Sequence, residues 1–226
     1  IYGRVERFVY ASSGCSIYPS DAPMPYKEDL PLSSWLSTPY QITKALGELY
    51  GNYYYKMYGI PFTKARFFNS FGPGEVPGQY RNVIPNFIYW AMLGKPLPIT
   101  GTGEETRDFT YVGDIVDGLL RMGYYKEAIG EAFNLAAGRE IKIKYLAEKV
   151  NELTNNKAGI IFKERRKWDT KPTMLASNEK AKKILGFNPD LDFDKRLAET
   201  VEWFRQNWEF IKKSAQFGPG VSSAVR

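Results

Sequence analysis

The chain has 226 residues, a hydrophobic fraction of 43%, a charged fraction of 25% and a formal charge of +6 at pH 7. That is the composition of one or two globular domains, not of a disordered or fibrous chain. Histidine is absent and Cys15 is the single cysteine, which excludes a Ser-His-Asp triad, a Cys-His pair, a histidine-ligated zinc and any internal disulfide. No run approaches the ~18 apolar residues of a membrane span and no basic-then-apolar leader is found, so a cytoplasmic protein is expected. The basic excess suits nucleic acid and phosphorylated small molecules equally. Its densest run, Lys163-Glu164-Arg165-Arg166-Lys167, with Lys180, Lys182 and Lys183 later, reads first as solvated surface.

In chain order, Arg7–Ala11 is a short β-rich run stopped by Ser12-Ser13-Gly14, a strand ending in a polar turn. The Pro-broken stretch 19–39 is a loop. From Tyr40 to Tyr58, Leu46, Leu49, Tyr50, Tyr53, Tyr54 and Met57 recur at helical spacing, predicting an amphipathic helix with this stripe in the core or a subunit interface. Gly59 is its stop, and 60–68 is the next strand. A helix is predicted over 83–93, a strand over 108–112 and a helix from Asp114, capped by that carboxylate, to about Tyr125. Then come a strand at 133–135, a helix over 142–153, a strand over 159–162, helices over 179–185 and 194–210, and a loose tail from Phe217. Strands alternating with helices predict an α/β fold with a largely parallel sheet.

Tyr40 and Lys44 lie four residues apart, on one helix face. A phenol with a pKa near 10 is a poor base at neutral pH. A neighbouring ammonium, or a cationic nicotinamide, favours the phenolate. The pair is thus a base and its tuner. Ser12-Ser13 upstream and Asn69 downstream both end strands, the edge at which parallel sheets bind ligands. Arg107 sits among turn residues after Gly101-Thr-Gly-Glu-Glu-Thr.

Taken together, Phe8 to about Trp208 resembles the extended short-chain dehydrogenase/reductase family, the NAD-dependent sugar-nucleotide epimerases and dehydratases of the UDP-glucose 4-epimerase type. The matching pieces are the Ser-Ser strand end, Tyr40-x-x-x-Lys44, Arg66-Phe-Phe-Asn69-Ser-Phe-Gly-Pro-Gly, Thr106-Arg-Asp-Phe-Thr-Tyr-Val-Gly-Asp114, and Lys182-Lys-Ile-Leu-Gly-Phe-Asn-Pro189. The family's opening Gly-x-x-Gly-x-x-Gly turn is not among them. The resemblance implies that roughly a hundred residues, about one third of such a protein, lie ahead of this stretch. It also implies a Rossmann-like part over 1–68 and 107–135, a smaller nucleotide-sugar part over 69–106 and 136–212, and a tail over 213–226.

By the same resemblance the cofactor is NAD. Tyr40 is the acid/base, Lys44 holds the nicotinamide ribose, Ser12 lies at the cofactor, and Ser13 holds the reacting sugar hydroxyl. Counting from Tyr18 instead puts Gly14 in the serine's place. Asn69, Arg107 and Arg166 would contact the nucleotide diphosphate. Cys15 lies in a segment similar to one in GDP-mannose 3,5-epimerases that uses its cysteine as acid/base, and equally suits a small residue packed at a turn. The dehydratases' Asp-Glu pair is replaced by Gly14-Cys15, which disfavours elimination. The family pairs the Tyr40–Tyr58 helix across a homodimer. Two functions remain: an epimerase-type oxidoreductase (within it a dehydratase, reductase or decarboxylase), or a non-catalytic fragment that only binds a nucleotide sugar. Nucleic-acid binding rests on charge alone and is set aside, and no membrane or metal partner is expected.

Overall fold

The computed structural model describes residues 5–79, 81–166, 169–215 and 217. Its elements begin β1 (Phe8–Ser13), a single turn α1 (Gly14–Ile17), α2 (Pro39–Tyr58), β2 (Phe62–Phe67), β3 (Ser70–Phe71), α3 (Val83–Met92) and β4 (Leu97–Thr100). They continue β5 (Thr106–Asp108), β6 (Thr110–Tyr111), α4 (Val112–Tyr124), β7 (Ala132–Leu135), β8 (Glu140–Lys142) and α5 (Ile143–Thr154). Last come β9 (Ile160–Lys163), α6 (Glu179–Leu185), α7 (Phe193–Gln206) and α8 (Trp208–Ser214). The chain forms two compact units, the first from Ile1–Ser70, Asp108–Arg139 and Met174–Asp190, the second from Phe71–Arg107, Glu140–Thr173 and Leu191–Arg226. Met174–Asp190 was expected in the second part. It joins the first because Ala181, Leu185 and Phe187 complete a core with Ala65, Ile115, Met122, Phe133 and Leu135.

The first unit is a parallel sheet in the order β1-β2-β7. α2 connects β1 to β2, as a parallel pair requires of a crossover. Thr38 caps it by accepting the Gln41 N–H at 3.3 Å, Pro39 opens its first turn, and Gly59 closes it in the left-handed conformation at φ 66°. Two glycines let it lie against the strands. A Cβ on Gly47 would stand 2.0 Å from the Tyr10 hydroxyl, and one on Gly51 1.9 Å from the Phe62 ring. The apolar stripe meanwhile faces outward: Leu49, Tyr50 and Met57 are 55%, 65% and 64% exposed, while Ala45 and Glu48 are buried. The stripe expected in the core or a subunit interface therefore lies on the outside of this unit and not in its core, because small residues serve the inside of α2.

One register row crosses all three strands, Ser12 beside Arg66 beside Asn134, each at most 5% exposed. Buried Glu48 on α2 holds it. Arg66 gives Glu48 a two-point bond (Nε to Oε1 3.0 Å, Nη2 to Oε2 2.7 Å), and the Ser12 hydroxyl donates to Oε1 at 2.6 Å. Arg66 Nη1 donates to the Tyr18 hydroxyl at 2.8 Å, which donates to Asn134 Oδ1 at 2.9 Å. Burial pushes the Tyr18 phenol up to about 12 against the pull of Arg66, so it remains a donor.

The second unit packs α3, α5 and α7 through Ile84, Phe87, Leu146, Val150, Leu197, Val201 and Phe204, all buried. Parallel β4 and β9 pair from Leu97 with Ile160 to Thr100 with Lys163. The helix predicted over 194–210 is broken at Asn207, whose side chain donates to the Trp203 carbonyl at 2.9 Å and ends α7. Asp114 is not a cap. It lies inside the first turn of α4 and accepts the Asp190 N–H at 3.1 Å. The loose tail predicted from Phe217 falls almost wholly on 218–226, outside the described residues. Among the described residues no helix is long and apolar enough to cross a membrane.

Glu48→Ala should lower stability by about 3–5 kcal/mol, because it strands the buried Arg66 charge. Glu48→Leu combined with Arg66→Met should lose much less. Urea unfolding of both variants checks this, and a single-variant loss under about 1 kcal/mol would show the pair to be dispensable.

Candidate active site

The carboxyl end of β1, the turn α1 and the first turns of α2 meet in one place. β1 sends Ser12 to Glu48, while the hydroxyl of Ser13, the next residue, lies close enough to Tyr40 to lower its pKa. Ser13 also donates to Ser16 Oγ at 2.9 Å and lies 3.3 Å from Cys15 Sγ. Gly14, the other residue that counting along the segment offered, packs where a Cβ would stand 2.1 Å from the Phe68 ring. A side chain has no room there. Ser13 is the residue beside Tyr40.

Tyr40 is the second residue of α2 and 55% exposed. Lys44, one turn on, stands with Nζ 5.6 Å from the ring centroids of both Tyr40 and Tyr10, and donates to the Ala11 carbonyl at 2.7 Å. The spacing continues, since Tyr40, Lys44 and Glu48 follow one another at intervals of four along α2. Glu48 thereby anchors to β1 and β2 the helix face that carries the other two. The expected lowering of the Tyr40 pKa by Lys44 is not what this arrangement gives. Partial burial raises it, the Ser13 hydroxyl lowers it, the neighbouring Cys15 thiol raises it, and the outcome is upward.

Ser12 is not brought to this cluster: it is 1% exposed and committed to Glu48. Asn69 follows β2 with φ 31°, and its side-chain nitrogen donates to the Asp108 carbonyl at 3.3 Å and to Met174 Sδ at 3.4 Å. Asp108 is itself fixed, accepting the N–H groups of Ala137, Gly138 and Ala176 at 3.1–3.2 Å.

Arg107 and Arg166 belong to the second unit, where they lie close enough to influence one another. Burial pulls the Arg166 guanidinium down, Asp169 holds it up and Arg107 opposes it. Arg107 pairs neither with Asp108 nor with Glu104. Its Nη2 reaches both oxygens of Asp169, at 3.0 and 3.3 Å. Sequence reasoning missed Asp169, Glu48 and Ser16. Glu48 could have been found from the four-residue interval after Lys44, but nothing in the sequence marks Asp169 as the partner of Arg107.

A sequence profile of the NAD dependent epimerase/dehydratase family matches residues 2–136. The UDP-glucuronate 4-epimerase of Thermodesulfobacterium geofontis is 36% identical over 213 residues, which cover 92% of this chain and 62% of that protein. An epimerase of known structure from Methanothermobacter thermautotrophicus is 55% identical, with a TM-score of 0.92 over 95% of this chain and 63% of its own. The Bordetella bronchiseptica enzyme WbmF, solved with NAD+ and UDP, is 34% identical, with a TM-score of 0.74 over 94% of this chain and 63% of its own. The chain thus spans a little under two thirds of these relatives. Because the profile takes in β1, α2, β2, α4 and β7, the elements that carry and support the Tyr40 cluster, the chain belongs to the NAD-dependent epimerase/dehydratase family.

Proposed function

We propose that this chain is the larger part of a cytoplasmic, NAD-dependent nucleotide-sugar epimerase in which Tyr40, Lys44 and Ser13 handle the proton of a sugar hydroxyl. The observation that carries this is Tyr40 with Lys44 Nζ 5.6 Å from its ring centroid and the Ser13 hydroxyl close enough to favour its phenolate, at the carboxyl end of a parallel strand. A single cysteine suits a reducing compartment. The residues suit the nicotinamide end of NAD. Lys44 spends one N–H on Ala11, leaving two for ribose hydroxyls beside the tyrosine. When bound, NAD supplies reversible acceptance of a hydride from the sugar carbon.

The chain's own work is the proton. Ser13 orients the sugar hydroxyl towards the Tyr40 oxygen, and Tyr40 takes its proton as the carbon is oxidised, then returns it as the carbon is reduced. The phenolate that accepts the proton, present before oxidation and regained after reduction, lies at the positive end of α2, with the Lys44 ammonium beside it. Cys15, next to Ser13, is a second group able to exchange a proton there. In the second unit Arg107 and Arg166 are the diphosphate contacts, and in the first unit Asn69, after β2, is a substrate contact of its own. The exposed stripe of α2 supports a homodimer through that helix.

In the full-length protein, Tyr40→Phe should lower kcat about 10²- to 10⁴-fold for conversion of a UDP-sugar while NAD binding persists. A loss under tenfold would remove Tyr40 from the proton path. Ser13→Ala should move the Tyr40 pKa further up, because the hydroxyl it removes favours the phenolate. NMR titration of labelled tyrosine, assigned with Tyr40→Phe, reads this directly. A pair of charges in the stripe, Leu49→Glu with Tyr53→Glu, should turn a dimer into a monomer by sedimentation with the fold retained.

A further inference from the structure

Three guanidinium groups of the second unit surround one carboxylate. Asp169 accepts from Arg107 Nη2 with both oxygens, at 3.0 and 3.3 Å, while Arg107 Nη1 donates to the Thr106 and Pro172 carbonyls, and Asp169 Oδ1 lies 3.8 Å from Arg165 Nη2. It also supports the charge of Arg166, which Arg107 opposes. The Arg107–Asp169 pair is shielded, with side chains 15% and 20% exposed. Arg165 is less well served: its Nε and Nη2 are buried and have no hydrogen-bond partner among the described residues. The nearby Glu105 carboxylate is already spent on the N–H groups of Thr102 and Gly103, at 3.2 and 2.8 Å. Two carboxylates, Asp169 and Glu105, face three guanidinia, which leaves an excess of positive charge and, on Arg165, unmet donors in a shielded place. Such a cluster calls for an anion with more oxygens and more charge than Asp169 brings.

We propose that Asp169 is a placeholder, occupying on Arg107 the seat of a diphosphate and leaving it when the diphosphate binds, with Arg165 as a third donor to that ligand. This rests on the assignment of Arg107 and Arg166 as diphosphate clamps. A carboxylate and a phosphate compete for the same Arg107 Nη2 donor, so the two exclude each other there. An anion that takes Nη2 must displace Asp169. A diphosphate offsets that loss by reaching several guanidinia together, whereas a single phosphate exchanges one acceptor on Nη2 for another.

The test is calorimetric titration of the 226-residue chain with inorganic pyrophosphate and, separately, orthophosphate, at fixed ionic strength. Wild type should bind pyrophosphate the tighter. Asp169→Asn should tighten pyrophosphate about fivefold, the gain from deleting a competing ion pair. Arg165→Gln should weaken it about tenfold or more, the loss of a charged donor. Pyrophosphate carries no sugar hydroxyl for Asp169 to hold, so a carboxylate serving as a contact to a ligand's sugar gains nothing from this probe. Affinity unchanged, weaker or absent in a folded Asp169→Asn overturns the placeholder, and Asp169→Ser repeats the test in a smaller side chain. Should neither variant fold, the ¹³C carboxyl signal of Asp169 in wild type decides. It must shift as pyrophosphate saturates, and an unmoved signal overturns the proposal. Arg107→Gln with undiminished pyrophosphate affinity would instead remove the clamp assignment itself, whatever Asp169 does.

Discussion

The first unit depends on the contact of Glu48 with Arg66. Both groups are all but excluded from water, and ions in that position cost several kcal/mol each to dehydrate unless every oxygen and N–H finds a partner. Here they do. Ser12 on β1 and Tyr18 after α1 complete the set, and Asn134 on β7 extends it. The pair adds little net stability over an apolar pair of the same volume. Its value is registration: only one position of α2 on the sheet satisfies Glu48, and that position sets Lys44 and Tyr40 one and two turns back, beside Ala11 and Ser13.

The rest of α2 shows how a helix can be amphipathic in the wrong direction for its own unit. Its sheet-facing side is made of alanine, glycine and one buried glutamate, which bring the backbone close to Tyr10 and Phe62. Its large apolar residues face outward. Periodicity detects that a stripe exists but not which side of the helix the sheet takes. The glycines at 47 and 51 were the clue, since they mark the side on which another element must approach.

Much else was legible because local chemistry decided it. Gly59 ended its helix, α6 took its predicted bounds, and Tyr40 and Lys44 share one face of α2 as their spacing implied. The misses share one cause. Asn207 and Asp114 have side chains whose hydrogen bonds depend on what else lies near: Asn207 turned back on its own helix, and Asp114 reached Asp190. Ser12, expected at the cofactor, is paired within the protein to Glu48, and the proposed diphosphate contact Arg107 is held by Asp169. A motif gives the type of contact a residue can make. It does not say that the protein itself is not already making it.

The row Ser12–Arg66–Asn134 joins segments from near the start of the chain to Tyr26 and Ser177, whose carbonyls accept the Asn134 amide. A polar network this continuous has no cheap partial opening, because releasing any one member leaves the others buried and unmet. Local fluctuations of the kind that let amide protons exchange are therefore suppressed along β1, β2 and the middle of α2 at once, and these elements open as a single cooperative block. The Tyr40 cluster is fastened to the end of that block. Its geometry persists for as long as the unit is folded, and warming abolishes the site and the fold in the same step.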